Sequence, residues 1–167
     1  MRVRPEEERD WAAVHDLNAA AFASRAEADL VDVLRHGARP IVSLVADAGA
    51  AVVGHLMLSP VSLPGHPALS IMGLGPMAVA PGRQRGGIGS ALVRAGLAAC
   101  AQLGVPAVVV LGHPEYYPRF GFAPAARFGI ACEYEAPVEA FMLLELHPGV
   151  MQGVTGTVRY HAAFATV

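Results

Sequence analysis

The chain has 167 residues, 54% of them apolar, and a formal net charge of −2. That length supports one domain with a substantial core, and the weak negative charge argues against a nucleic-acid surface. No apolar run approaches the ~20 residues of a membrane span, so a membrane-embedded protein is excluded as well.

Residues 2–5 (RVRP) read as a short first strand that ends at Pro5. Trp11, Val14, Leu17 and Ala21 then fall on one stripe, which predicts a helix over 6–22. Acidic residues in its first turn suit a helix N-terminus, and Trp11 is expected to anchor it to the sheet. A second helix is predicted over 24–37, with Ser24 as cap, Glu27 three residues on and Gly37 at the end. Residues 41–47 and 51–61 read as a hairpin turning at 49–50, with His55 as a structural residue. The run 69–81 is extended, and Gly73, Gly75 and Pro76 inside it predict a bulge or bend.

A glycine-rich loop follows, and Ile88, Leu92, Ala95 and Ala99 keep helical period to about Leu103. Residues 106–112 form a continuous apolar strand of the kind buried in a parallel pairing. Strand, loop, helix and strand make a βαβ crossover. Residues 113–122 leave room for about one helical turn. Further strands are predicted at 141–146 and 154–160. No linker, repeat or low-complexity stretch divides the chain, so 1–167 reads as a single domain.

Cys100 and Cys132 form neither CxxC nor a metal-ligand spacing. They read as packing residues in a reducing cytoplasm, and no metal site is expected. The opening MRVRPEEERDW lacks the apolar core of a signal peptide.

The loop carries the chemistry. In QRGGIGSALV, Gln84 to Val93, three glycines stand within four residues at a helix start. A helix N-terminus presents unpaired N–H groups and partial positive charge. Glycines keep its approach free of side chains, so such a loop seats an anion, most often phosphate. A tight turn that needs glycine only for positive φ is the plain alternative. Walker A requires a lysine, and all 12 cations here are arginine. The dinucleotide fingerprint requires GxGxxG and a later acidic residue, and neither is present.

Gln84-Arg85-Gly86-Gly87-Ile88-Gly89 does match [QR]xxGx[GA]. This resembles the acetyl-CoA signature of the GNAT N-acetyltransferase superfamily. YYPRFGF resembles that family's YxxxGF element, with Tyr117 four residues before Gly121. The elements follow the family's order over nearly the whole chain. LGHPEYYPRFGF and GTVRY are most similar to the YhbS-like branch, a bacterial group of mostly predicted acetyltransferases. The resemblance implies an α/β (α+β) fold, a mixed, mostly antiparallel splayed sheet of six to seven strands with helices on both faces.

It also implies acetyl-CoA as co-substrate and a primary amine as acceptor. Gln84 heads the signature. The backbone of Arg85, Gly86, Gly87, Ile88, Gly89 and Ser90 would cradle the pyrophosphate. The backbone of Met77, Ala78 and Val79 would pair with the pantetheine arm like an added strand. The Val79 N–H would polarise the thioester carbonyl. Tyr117 matches the tyrosine that protonates the departing sulfur, with Tyr116 as the alternative.

Two departures stand out. Many members carry an acidic residue on the strand before the loop, but 69–79 contains no Asp, Glu or His. His113 is the first candidate for the base, and Glu133 and Glu135 are further candidates. Many members also have a full helix, with an asparagine, where this chain has only the proline-bounded 114–118.

The resulting expectation is a cytoplasmic bacterial N-acetyltransferase with a small amine acceptor and no nucleic-acid or membrane partner. The rival is an inactive CoA-binding sensor or assembly module, and a purely structural loop is the third reading. A homodimer is left open.

Overall fold

The computed structural model describes residues 1–167. In chain order it contains β1 (Arg2–Pro5), α1 (Trp11–Phe22), α2 (Ala26–Gly37), β2 (Val42–Asp47), β3 (Val52–Pro60) and β4 (Met72–Val79). Then come α3 (Ile88–Gln102), β5 (Ala107–Leu111), β6 (Ala123–Pro124), β7 (Ile130–Cys132), β8 (Phe141–Glu145) and β9 (Gly156–Val158). Seven strands form one sheet in the order β1-β2-β3-β4-β5-β8-β6. Its β4–β5 pair is parallel, whereas β1–β2, β2–β3, β5–β8 and β6–β8 are antiparallel. Packing falls into two compact units: Met1–Ser59, Gly75–Ala99 and Ala162–Val167 in the first, Pro60–Leu74 and Cys100–His161 in the second.

In the first unit, alternation along β3 sends successive side chains to opposite faces. Met57 joins Val45 under α1 and α2, in a cluster with Val14, Leu30, Val31 and Leu34. Leu56 and Leu58 point the other way, against α3. Gly96 makes that approach possible, since a Cβ there would stand 2.7 Å from Leu56 Cδ2 and 2.9 Å from Leu58 Cδ1. The hairpin therefore has helices on both faces.

Arg4 secures the first strand. Its guanidinium donates to both carboxylate oxygens of Asp10, at 2.7 and 2.9 Å, and to Asp47 Oδ2 at 3.0 Å. These bonds hold the Asp10 carboxyl down at about 2. Asp10 Oδ2 also accepts the Glu7 N–H at 2.8 Å. That commitment turns residues 8–10 into a 3-10 turn, so α1 begins at Trp11 and not at residue 6. The Trp11 ring lies 5.0 Å below the Arg35 guanidinium and edge-on to His36 at 5.2 Å, contacts that fasten α1 to α2.

His55 is fully buried, and burial pushes its imidazole down to about 3. Asn18 Nδ2 donates to Val14 O at 3.0 Å and stands 3.3 Å from His55 Nδ1. Nδ1 is then the acceptor, and the ring's single proton sits on Nε2, 2.9 Å from Ser43 Oγ. The ring donates to that serine and cannot take its proton, so this Asn-His-Ser series is a structural tie, as expected of His55.

In the second unit, β4 pairs with β5 from Met72↔Val108 to Leu74↔Val110, and β5 pairs with β8 from Ala107↔Glu145 to Leu111↔Phe141. One face of these strands carries a core of Val61, Ile71, Val109, Ile130, Leu143, Met151 and Val158. Cys100 is buried beside Met72, a packing residue as expected. Two short strands escape the sequence pattern. β6 has two residues because Pro124 cannot extend a ladder, and β7 pairs with β9 in a separate parallel ribbon. The expected last strand shrinks to Gly156–Val158, the length of its partner β7, and Arg159 beyond it makes a single bridge to Ser62.

Candidate functional site

The glycine loop joins β4 to α3. Its start is tied to the strand end, with Gln84 Nε2 donating to Val79 O at 3.2 Å and Arg83 N to Ala80 O at 2.9 Å. Residues 81–87 are exposed. Arg85 and Gly87 take positive φ, 66° and 87°. Ala91 N donates to Gly87 O at 3.0 Å, so Gly87 opens the helix. Ile88 and Gly89 precede that first bond, in the first turn of the helix. A Cβ on Gly87 would meet nothing within 4 Å, so the face it would occupy is left clear. Ile88 and Leu92 are buried and hold this end of α3 in place. Its first turn carries no acidic residue to repel an anion.

Upstream, the parallel register of β4 with β5 stops at Leu74, just before Gly75 with φ 138°. This is where the bend was expected. Met77, Ala78 and Val79 lie beyond that ladder; Ala78 is buried and its neighbours are half-buried.

Tyr117 starts a 3-10 turn, Tyr117–Phe120, that Gly121 closes with φ 101°. Gly121, in the left-handed region, ends the segment after one turn. The Tyr117 ring is buried, edge-on to Phe122 at 5.8 Å and to Tyr116 at 5.1 Å. Burial pushes its phenol up to about 12. Tyr116 is only half-buried, with the Arg119 guanidinium 4.3 Å over its ring. The adjacent tyrosines thus have different surroundings, one interior and one beneath a surface cation.

Gly112 is the residue that the pattern LGHPEYYPRFGF did not single out. A Cβ there would stand 2.5 Å from Tyr117 Cε2, so the ring lies flush against bare backbone. The only signal in the sequence is a glycine at the end of an apolar strand, five residues before the tyrosine.

The candidate bases are placed less closely. The His113 side chain is 83% exposed, with Nδ1 4.0 Å from Glu115 Oε1. Glu133 accepts the Tyr160 N–H, so its carboxylate is engaged in joining two segments. Glu135 is exposed. No helix is long and apolar enough to cross a membrane.

The family model described as acetyltransferase (GNAT) domain matches residues 2–125. The uncharacterized N-acetyltransferase YhbS of Escherichia coli strain K12 is 36% identical over 165 residues, 98% of each chain. The crystal structure of Escherichia coli YhbS with CoA aligns at a TM-score of 0.91, covering 98% of this chain and 91% of that one. A GNAT family acetyltransferase from Brucella melitensis, crystallised with acetyl-CoA, is also 36% identical. It aligns at a TM-score of 0.80 over 98% of this chain and 97% of its own.

Proposed function

The chain belongs to the GNAT family of acyl-CoA-dependent N-acetyltransferases, and on that premise we propose that it moves acetyl from acetyl-CoA to the primary amine of a small acceptor. We read residues 1–167 as one such domain, working in a bacterial cytoplasm. The observation that carries the reading is the approach to α3, where residues 81–87 are exposed and the Gly87 face is kept clear. The relatives crystallised with CoA and acetyl-CoA support reading that anion as the CoA pyrophosphate.

In this reading the N–H groups from Arg85 to Ser90 hold the pyrophosphate, and Met77–Val79 pair with the pantetheine amides. The amine lone pair attacks the thioester carbon, forming C–N as the carbonyl π pair moves to oxygen. The Val79 N–H stabilises that oxyanion. The pair returns, C–S breaks, and the sulfur leaves as a thiol with the Tyr117 proton. The new ammonium gives up one proton, for which His113 is the first candidate acceptor.

The pKa of Tyr117, about 12, sets a condition on this step. A thiol near 8.5 lies about 3.5 units lower, so a free phenolate would cost about 5 kcal/mol. Tyr117 therefore donates only as C–S breaks, and the single proton that the ammonium gives up, relayed by the candidate base His113, returns to Tyr117 in the same event. Loss of activity in Tyr117→Phe separates this enzyme from an inactive CoA-binding module.

Thermal unfolding with acetyl-CoA tests the seat. At 100 times its dissociation constant a ligand stabilises the native state by about 2.7 kcal/mol, which raises the midpoint by several degrees. Wild type should respond and Gly87→Glu should not. Gly87→Asn, which tolerates positive φ, controls for backbone strain. An unresponsive wild type at millimolar acetyl-CoA would overturn the proposal.

A further inference from the structure

The segment between β6 and β8 lines a half-open cavity of about 190 Å³. Its walls include Ile130, Cys132, Tyr134, Pro137, Val138 and Phe141, and no charged side chain lines it. Its position is set by strand register. Phe141 lies directly across from Leu111, the last residue of β5, and directly paired residues share a face. Leu111 is 40% exposed and Val138 64% exposed, so apolar surface continues from the end of β5 to the cavity wall. Gly112, one residue on, presents the opposite face, and there the Tyr117 ring packs against it. The cavity and Tyr117 flank one strand end from opposite sides.

The charges in this segment are mostly acidic. Glu133, Glu135 and Glu139 lie in it against one cation, the exposed Arg127 beside Ala126. Glu133 is engaged with Tyr160, while Glu135 and Glu139 are exposed. An uncharged apolar hollow beside free carboxylates suits a cation with an apolar body, and disfavours an acid or a phosphate ester.

We propose that this cavity receives the aliphatic or aromatic side group of the primary-amine acceptor, with Glu135 and Glu139 drawing its ammonium end toward the strand terminus. The inference rests on the acetyltransferase reading above and names its acceptor class. A cavity of about 150 Å³ holds benzene, so this one admits a single ring or a short branched chain.

The test compares 2-phenylethylamine with ethanolamine as acceptors, in wild type, Ala136→Trp and Val138→Ser. Ala136 lines the cavity, and tryptophan there fills it. Val138 is exposed, so serine removes apolar wall with little risk to folding. Wild type should favour 2-phenylethylamine by roughly tenfold or more in kcat/KM, in line with apolar-pocket discrimination. Both variants should lose that preference through KM and keep the acetyl-CoA thermal shift. Saturation-transfer NMR should show the phenyl protons touching wild type and not Ala136→Trp. Equal use of both amines, a preference that survives both variants, or no phenyl contact would overturn the proposal, even with the acetyl-CoA shift intact. A missing acetyl-CoA shift in wild type would instead remove the acetyltransferase reading, and this inference with it.

Discussion

Gly112→Ala is the sharpest probe of the tyrosine. The added Cβ would lie 2.5 Å from Tyr117 Cε2 and 3.1 Å from Cδ2, where ordinary contact starts at 3.4 Å. The ring must therefore retreat by about 0.9 Å, the difference between those two distances. It cannot simply rotate aside, because Phe122 and Tyr116 stand edge-on to it at 5.8 and 5.1 Å. Overpacking of this kind costs about 1–3 kcal/mol, which leaves a typical domain folded. A misplacement of about 1 Å in a catalytic group costs on the order of 100-fold in rate. The assay is thiol release from acetyl-CoA with the best amine of a primary-amine panel. Gly112→Ala should lose on the order of 100-fold in kcat while KM for acetyl-CoA stays within about threefold. The double variant Gly112→Ala/Tyr117→Phe should be no slower than Tyr117→Phe alone, because the glycine acts only through the hydroxyl it positions. Wild-type kcat in Gly112→Ala, or losses that multiply in the double variant, would refute the reasoning.

Two further predictions concern the frame. His55 titrates near 3 in the fold against an ordinary 6.5, so the unfolded chain binds the extra proton first. Stability is therefore complete above pH 6.5 and falls below it by up to about 1.4 kcal/mol per unit, about 3 kcal/mol by pH 4. Urea titrations should show that slope in wild type and not in His55→Gln. Asp10, held at about 2 against 3.8, contributes only at lower pH, and an equal slope in both proteins would discard the assignment. Gly96→Ala sets two effects against each other. Helix propensity favours alanine by about 1 kcal/mol, while the 2.7 Å approach to Leu56 predicts overpacking of about 1–3 kcal/mol. A lower unfolding midpoint is expected, and a higher one would show that α3 can shift away from β3 without loss.

What could be read in advance shares a physical character. The glycine loop, α3 and β5 were legible because their requirements are local: positive φ, helical period, a continuous apolar run. The hairpin and the bend at Gly75 were legible for the same reason. The rest depended on partners far along the chain. Trp11 has an apolar stripe position, but only the last turn of α2 determines that Arg35 and His36 cover it. β6 and β7 have two and three residues, too short to show any period. The adjacent tyrosines are alike in sequence, and only Gly112 on one side and Arg119 on the other tell them apart. His113, singled out as the first candidate base, has an imidazole largely in water.

The parallel ribbon of β7 and β9 has three rungs and lies outside the seven-stranded sheet. It carries Ile130 and Cys132 into the cavity wall, while none of the glycine loop's residues belongs to it. Apart from Ile130, which belongs to the core with Val109 and Leu143, substitutions along 130–138 can therefore accumulate without disturbing the ladder that supports β5. In evolutionary terms the ribbon is a replaceable module. Descendants of one ancestor could exchange acceptors by redrawing a nine-residue stretch while inheriting the same donor seat unchanged. Divergence between relatives of this chain should then concentrate there, with far less change across QRGGIGS.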